Sequence, residues 1–405
     1  MEPAKLNRIG VYLALLQLFF TLTWTVYVIF LPALAAQVGI RPQAVILILM
    51  LDQVIFAVMD WLMGQMADRV SKIVGRLSKI VAATTGVSCV AFLLLPFVAP
   101  TGSEALFIAL TIVWSASSSV LRAPPLALLG KYAARSAVPW LASLSMFGLG
   151  LAGALSPYLT VALREIDPRV PFALASAALL LVTCGLGWAE RSLAAAPAQA
   201  APKPGVAAQS NGSLTLFLLA MLLLGLGFQI HFSLNAAPMF LKFAKAPELE
   251  YLMPIFWIGF NVSMLPGTML TSRYGGLKVM AAGGVIAAIA ACAVAQAGSV
   301  AALGVAQFAA GSAWGIVMMS ALTAALEIGR NVRYGGREGS ITGALFSLLA
   351  IAALARMMIV WTELNKSTGF VSIQPWLPIA AWLLAAAALL LIFRKKSANS
   401  LSAAT

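Results

Sequence analysis

Residues 60–76 read D-W-L-M-G-Q-M-A-D-R-V-S-K-I-V-G-R. An apolar helix ends here, carrying one carboxylate, Asp60, in its hydrophobic inner half. The chain then breaks into a short basic turn through Gly64, Asp68, Arg69, Lys72, Gly75 and Arg76, and an apolar run resumes at Ile80. This is the pattern of a membrane hairpin with a charged hinge. Gly64 lies four residues after Asp60, Asp68 four further on, and Gly75-Arg76 begins seven past Asp68.

Outward from the hairpin the chain stays apolar. Of 405 residues, 61% are hydrophobic and 10% charged, a balance that excludes a soluble domain of this size. A bilayer core needs roughly 20 apolar residues per helix. Such runs begin near Ile9, Gln43, Ile80, Ala105, Val138 and Pro171, and again near Leu214, Tyr251, Val279, Ala302, Ile341 and Trp376. The expectation is an all-α membrane protein of twelve transmembrane helices in two six-helix bundles, 1–190 and 214–405. Between them, 191–213 contains a stretch rich in Pro, Ala and Gly that reads as a cytoplasmic linker. Lys5 and Arg8 precede an apolar run too long for a signal peptide, so that run is kept as a helix.

The net charge of +13 raises the possibility of nucleic acid, but its distribution argues otherwise. With both termini inside, eighteen of the 26 Lys and Arg fall in inner segments and six in outer ones. The remaining two, Arg122 and Arg356, lie within helices. Positive residues are retained on the cytoplasmic side, so the excess faces anionic lipid at the inner surface of a cytoplasmic membrane. Cys89, Cys184 and Cys292 lie far apart in apolar runs and read as packing residues. A weak internal repeat supports two halves: M-D-W-L-M-G-Q-M ending at Met66 pairs with V-S-M-L-P-G-T-M ending at Met269, and Pro32 pairs with Pro238. Paired halves suit a carrier in which one half rocks against the other.

The motif G-Q-M-A-D-R followed by a basic turn resembles the loop between helices 2 and 3 of major facilitator superfamily transporters. The seven-residue spacing from Asp68 to Gly75, preceded by Asp60, is most similar to the glycoside-pentoside-hexuronide cation symporters and sucrose carriers. A second fragment, P-P-L-A-L-L-G-K from Pro124 to Lys131, is similar to the end of helix 4 in those groups. Together the fragments cover under a tenth of the chain. Trp61 stands in place of the usual proline, Lys131 in place of an acid, and Phe56 where melibiose-type sodium carriers have a second carboxylate. The departure at Phe56 argues against a two-carboxylate sodium site, so a proton is expected as the coupling ion ahead of sodium. The resemblance implies that Gly64, Asp68, Arg69 and Arg76 latch the inner gate through charge pairs and a helix dipole; positive residues that simply hold the loop inside are the alternative.

Charges near the bilayer centre usually face a cavity or a partner. Depth counted from helix ends pairs Asp60 with Arg122 in the inner third, and Asp52 with Arg356 outward of the midplane. Asp52 and Asp60 are about 12 Å apart along the helix and roughly 80° apart around it, so they cannot share one ion. Asp60, by its place in the motif, is the expected proton-binding carboxylate, its hold on a proton set by burial against a nearby Arg; a permanent structural salt bridge is the alternative. His231, Gln229 and Asn235 on helix 7 and Gln17, Trp24 and Tyr27 on helix 1 are candidate substrate-cavity residues, with interhelical bonding and packing as the alternatives. Gly148, Gly150 and Gly153 on helix 5 read as close-packing sites. Glu327, Arg330 and Arg333 read as a second latch or a solvated cluster.

No nucleotide-binding loop, metal cluster or nucleophile arrangement stands out, so neither an enzyme nor a cofactor is expected. The expected function is secondary, proton-coupled transport of a small organic solute by a monomer in a bacterial-type inner membrane. The alternatives are a lipid or lysolipid translocator and a non-transporting assembly factor on the same fold.

Overall fold

Hydrocarbon offers no partner to a peptide group, so an apolar chain of this length satisfies its backbone internally as helices. A computed structural model of the chain describes residues 3–195, 211–330 and 336–402, with the side chains of 211–212 and 393–402 outside the description. Eleven helices among the described residues are long and apolar enough to cross a bilayer: α1 Pro3–Gln37, α2 Pro42–Val70, α3 Arg76–Thr101, α4 Glu104–Tyr132, α5 Arg135–Ala162, α6 Arg169–Ala194, α7 Ser213–Phe240, α8 Ala246–Tyr274, α9 Gly276–Ala295, α10 Val300–Gly329 and α11 Glu338–Trp361. The twelfth, α12, spans Leu377–Ser402 and is apolar over Leu377–Ile392. The chain is thus a multi-pass membrane protein. Most of the linker expected over 191–213, with Lys203, lies outside the described residues, as does Arg333.

The packing repeats between the halves. In the first six helices α1 packs on α5 and α6, and α3 on α4 and α6. In the second six the equivalents recur, α7 on α11 and α12, and α9 on α10 and α12. Helices α2 and α8 complete the symmetry by crossing over: α2 runs along α11 in the most extensive helix contact of the molecule, and α8 runs along α5. Outward-facing side chains such as Leu181 and Met269 are more than two-thirds exposed, as a lipid-facing surface requires.

Close approach at the α2–α11 crossing depends on glycine. A Cβ on Gly64 would stand 2.2 Å from the carbonyl oxygen of Gly339, and one on Gly343 2.4 Å from that of Asp60. On α5, a Cβ on Gly148 would meet the Ala14 backbone, and one on Gly150 or Gly153 would meet Phe260 or Trp257 of α8. The α5 glycines therefore seat both a neighbour in their own half and a helix of the other.

Two helices are irregular where the cavity residues sit. In α4 the α-helix stops at Ser118, a 3₁₀ turn covers Ser119–Leu121, and a new helical segment starts at Ala123. Pro124 and Pro125 cannot donate to the carbonyls a turn before them, so the ladder breaks there, and Arg122 occupies the break. In α7, Gln229–Ala236 form a π-helix, whose i→i+5 bonds widen each turn, just before Pro238.

Candidate functional site

Arg122, α4's residue at the break, points into a cavity of about 370 Å³ between the halves. Gln17 and Trp24 of α1, Gln53 of α2, Gln229 of α7 and Arg356 of α11 share its wall. Phe228, Phe232, Trp114 and Trp257 supply flat apolar faces. These four, together with Gln53, went unnoticed in the sequence. Phe228 and Phe232 immediately precede Gln229 and Ser233, both pairs at a spacing of four, which is the one signal that marks that face.

Asp60 lies directly behind Arg122. Its carboxylate is fully buried and accepts from the Arg122 Nη1 at 3.0 Å. The same guanidinium sits over the Phe56 ring, 4.0 Å from its centroid, and 5.8 Å from that of Phe20. Arg122 thus has one side on the acid and one on the cavity. The buried Ser119 hydroxyl faces the same carboxylate, outside regular hydrogen-bond geometry. The pairing expected from depth is therefore present here.

The other expected pairing is not. Asp52 accepts from the Tyr27 hydroxyl at 2.9 Å and the Ser115 hydroxyl at 2.5 Å, tying α1, α2 and α4 together. No ion pair joins it to Arg356 among the described residues. Equal depth does not fix direction around a helix, and Tyr27, one helix away within the same bundle, reaches Asp52 first. Tyr27 is for that reason no cavity residue: it is fully buried, packed on Trp114 at 4.3 Å between ring centroids. Arg356 faces the cavity from the opposite half, and its Nε has no acceptor.

Helix 7 divides its polar residues in the same way. Gln229 lines the cavity and accepts from Ser233 at 3.2 Å. His231 does not. It is buried against Gln307 of α10, 3.1 Å from its side-chain oxygen, with Trp382 of α12 beside it. Asn235 donates to the Gln374 carbonyl at 3.2 Å and accepts from its side-chain nitrogen at 2.7 Å. Two and six residues past Gln229, positions 231 and 235 lie about 200° and 240° around a regular α-helix, and the smaller step of a π-helix does not return them to the face that Gln229 presents.

The end of the molecule that carries most of the Lys and Arg, the basic end, is shut by two reciprocal contacts. Asp68, at the end of α2, accepts from the backbone N–H of Gly339 at 2.7 Å and of Ser340 at 2.8 Å, and from the Ser340 hydroxyl at 2.5 Å. It caps the start of α11, where unpaired N–H groups and the helix dipole favour an anion. Arg330, at the end of α10, donates to the carbonyls of Leu129, Gly130 and Ala133. It caps the finish of the second α4 segment, where the carbonyls favour a cation. Burial pulls the Arg330 guanidinium below its usual range, with Glu338 and Glu327 acting to raise it. Arg330 is therefore a cross-half clamp rather than part of a solvated cluster. The dipole part of the expected latch is present at Asp68; the charge pairs are not, since no ion pair involves Arg69 or Arg76 among the described residues. Arg69 lines a groove of about 700 Å³ at the basic end, and Arg76 opens α3 after the left-handed Gly75. Lys131 and Tyr132 both donate to the Ser71 carbonyl, fastening the charged turn to α4.

This arrangement of helices is shared with known proteins. The family model described as Major Facilitator Superfamily matches residues 13–355. No curated protein matches the sequence. Among solved structures, a bacterial homologue of the iron transporter ferroportin, outward-facing, aligns with a TM-score of 0.71 at 16% identity, covering 95% of this chain and 99% of the other. The transporter FucP in its outward conformation gives 0.67 at 13%, covering 95% and 98%. The human organic anion transporter MFSD10 (TETRAN) gives 0.64 at 17%, covering 97% and 99%.

Proposed function

The chain belongs to the Major Facilitator Superfamily, and from that membership we propose that it carries a small organic solute across the cytoplasmic membrane by alternating access, driven by protons. The observation that carries the proton part is the Asp60–Arg122 pair: a fully buried acid whose cationic partner also faces the cavity. A solute that engages Arg122 competes with Asp60 for it. A buried carboxylate that loses its counter-charge is costly by several kcal/mol, and taking up a proton removes that cost. When the solute leaves, Arg122 returns to Asp60 and the proton is released. Occupancy by solute and by proton are thereby linked, and linkage of this kind is reciprocal.

The basic end is the cytoplasmic end in this reading, with both termini there and the Asp68 and Arg330 caps as the inner gate. Opening that gate exchanges backbone partners for water, and closing the α1–α7 side of the cavity offsets the cost. Asp52, bonded to two hydroxyls and away from the cavity, holds α1, α2 and α4 in register and takes no part in coupling. FucP, a fucose:proton symporter of E. coli with this fold, supports proton coupling as compatible with it. The motif spacing from Asp60 to Arg76 is our ground for grouping the chain with the glycoside-pentoside-hexuronide and sucrose carriers, and a proton fits better than sodium because Phe56 occupies the place of a second acid. We take the working unit to be a monomer.

The test is a solute-flux screen in proteoliposomes under an imposed pH gradient, comparing the native chain with Asp60→Asn. The variant is expected to exchange solute across the membrane but not to accumulate it against a gradient. Full gradient-driven accumulation by Asp60→Asn would leave the pair with a structural role only.

A further inference from the structure

No acid among the described residues lines the central cavity, yet two guanidiniums do. Arg122 is already matched by Asp60 at 3.0 Å. Arg356 is not so matched: no acid among the described residues pairs with it, and its Nε has no acceptor. The residue is half-buried, and a cation in such a cavity wall favours a ligand that brings it a counter-charge. Among the described residues the cavity therefore carries one positive charge in excess.

The remainder of the wall is uncharged, with flat aromatic faces as its largest surfaces. The Trp24 and Trp114 indoles stack at 6.0 Å between ring centroids and 13° between planes on the first half. Phe228, Phe232 and Trp257 stand on the second. Their rings offer broad faces, interspersed with the amides of Gln17, Gln53 and Gln229 and the hydroxyls of Thr21, Ser118 and Ser233. The volume, about 370 Å³, is near the lower end of the roughly 300–1,000 Å³ common for small-molecule sites. We infer that the transported solute is an organic anion of one or two rings, its carboxylate or equivalent acid group seated on Arg356 and its flat body between the rings of the two halves. A guanidinium binds a carboxylate through two parallel N–H donors, a geometry an ammonium does not reproduce. This deepens the transport reading and rests on it, because the same anion, once inside, is what Arg122 would leave Asp60 to meet. A proton moving with a monoanion makes the loaded cycle electroneutral.

The test is equilibrium binding rather than flux, so that it stands apart from the coupling experiment. The full chain, purified in nanodiscs, is titrated calorimetrically with matched series: aromatic carboxylates such as benzoate and 2-naphthoate, the corresponding primary amides, and the corresponding methylamines. Saturable binding is expected among the acids, at least tenfold weaker or absent for the amides and amines. Arg356→Gln is expected to weaken acid binding at least thirtyfold, and Arg356→Lys to restore only part of it, with both variants eluting as the native chain does on size exclusion. Amides or amines binding as tightly as the acids, Arg356→Gln binding unchanged, or no acid in the panel binding would each overturn the inference. A neutral solute accumulated in an Asp60-dependent manner would refute the anion and leave proton coupling standing; acid binding through Arg356 with no gradient-driven flux would do the reverse.

Discussion

Asp68→Asn is expected to loosen the basic end without unfolding the chain. The carboxylate receives two backbone N–H groups and one hydroxyl from the start of α11, at 2.5–2.8 Å. An amide presents one acceptor oxygen in place of two, and its NH2 would meet a peptide N–H that also donates. At least one backbone bond is lost, together with the negative charge at the helix start. A hydrogen bond to a charged group contributes about 1.5–3 kcal/mol net, and a charge at a helix end about 0.3–1 kcal/mol. The two overlap, and water takes the freed N–H once the gate opens, so about 2 kcal/mol is the reasonable total. That corresponds to a roughly thirtyfold fall in the ratio of closed to open basic end. Spin labels on Ile73→Cys and Arg337→Cys, exposed residues on either side of the contact, report the change by double electron–electron resonance once Cys89, Cys184 and Cys292 are replaced. A longer distance is expected to grow from a minor to a major component. An unchanged distance distribution in Asp68→Asn, with the protein still folded, would refute the assignment of Asp68 as a gate cap.

Gly64→Val should prevent closure outright, because the added Cβ falls 2.2 Å from a backbone oxygen that has no rotamer to yield; at an overpacking cost of about 1–3 kcal/mol or more, membrane insertion should survive while the same labels report the long distance and flux is lost. Arg330→Lys should open the basic end nearly as far as Arg330→Ala does, since a point-like ammonium cannot serve the three carbonyls that the planar fork reaches, and a lysine variant indistinguishable from native would count against the clamp. Asp52→Asn is expected to cost about 1 kcal/mol and Asp52→Leu several, because leucine strands the buried Tyr27 and Ser115 hydroxyls. Melting in detergent reads that order, and loss of gradient-driven accumulation in a well-folded Asp52→Asn would return Asp52 to the coupling machinery. His231→Leu should lower the melting temperature through the lost Gln307 bond and leave KM within about threefold; a tenfold rise in KM would show that His231 reaches the solute after all.

What composition and hydropathic runs determine, they determine well: twelve helices, a paired layout and the hairpin at Asp60–Arg76 all follow from the cost of unpaired backbone in hydrocarbon. Side-chain partners were readable where one coordinate suffices. Asp60 and Arg122 meet because both lie at the same depth and the α4 break, forced by Pro124 and Pro125, turns Arg122 inward. For Asp52 depth was the wrong coordinate, since its direction around α2 faces Tyr27 and Ser115 and not the other half. His231 and Asn235, four apart, share a face with each other and not with Gln229, so closeness in sequence did not translate into a shared cavity wall. The partners of Asp68 and Arg330 were the least accessible, being, apart from the Ser340 hydroxyl, peptide groups with no letter of their own in the sequence.

That last property bears on how the gate can change over evolutionary time. Amide hydrogens and carbonyl oxygens are present whatever residue a codon specifies, so at the receiving positions 339–340 and 129–133 it is size that is constrained: a Cβ at 339 would meet the Gly64 carbonyl at 2.4 Å, and one at 130 the Glu338 side chain at 2.7 Å. Proline is the exception on the donor side, because at 339 or 340 it would erase the very hydrogen that Asp68 receives. Drift in this region should therefore be wide in chemistry and narrow in size, with one imino acid forbidden.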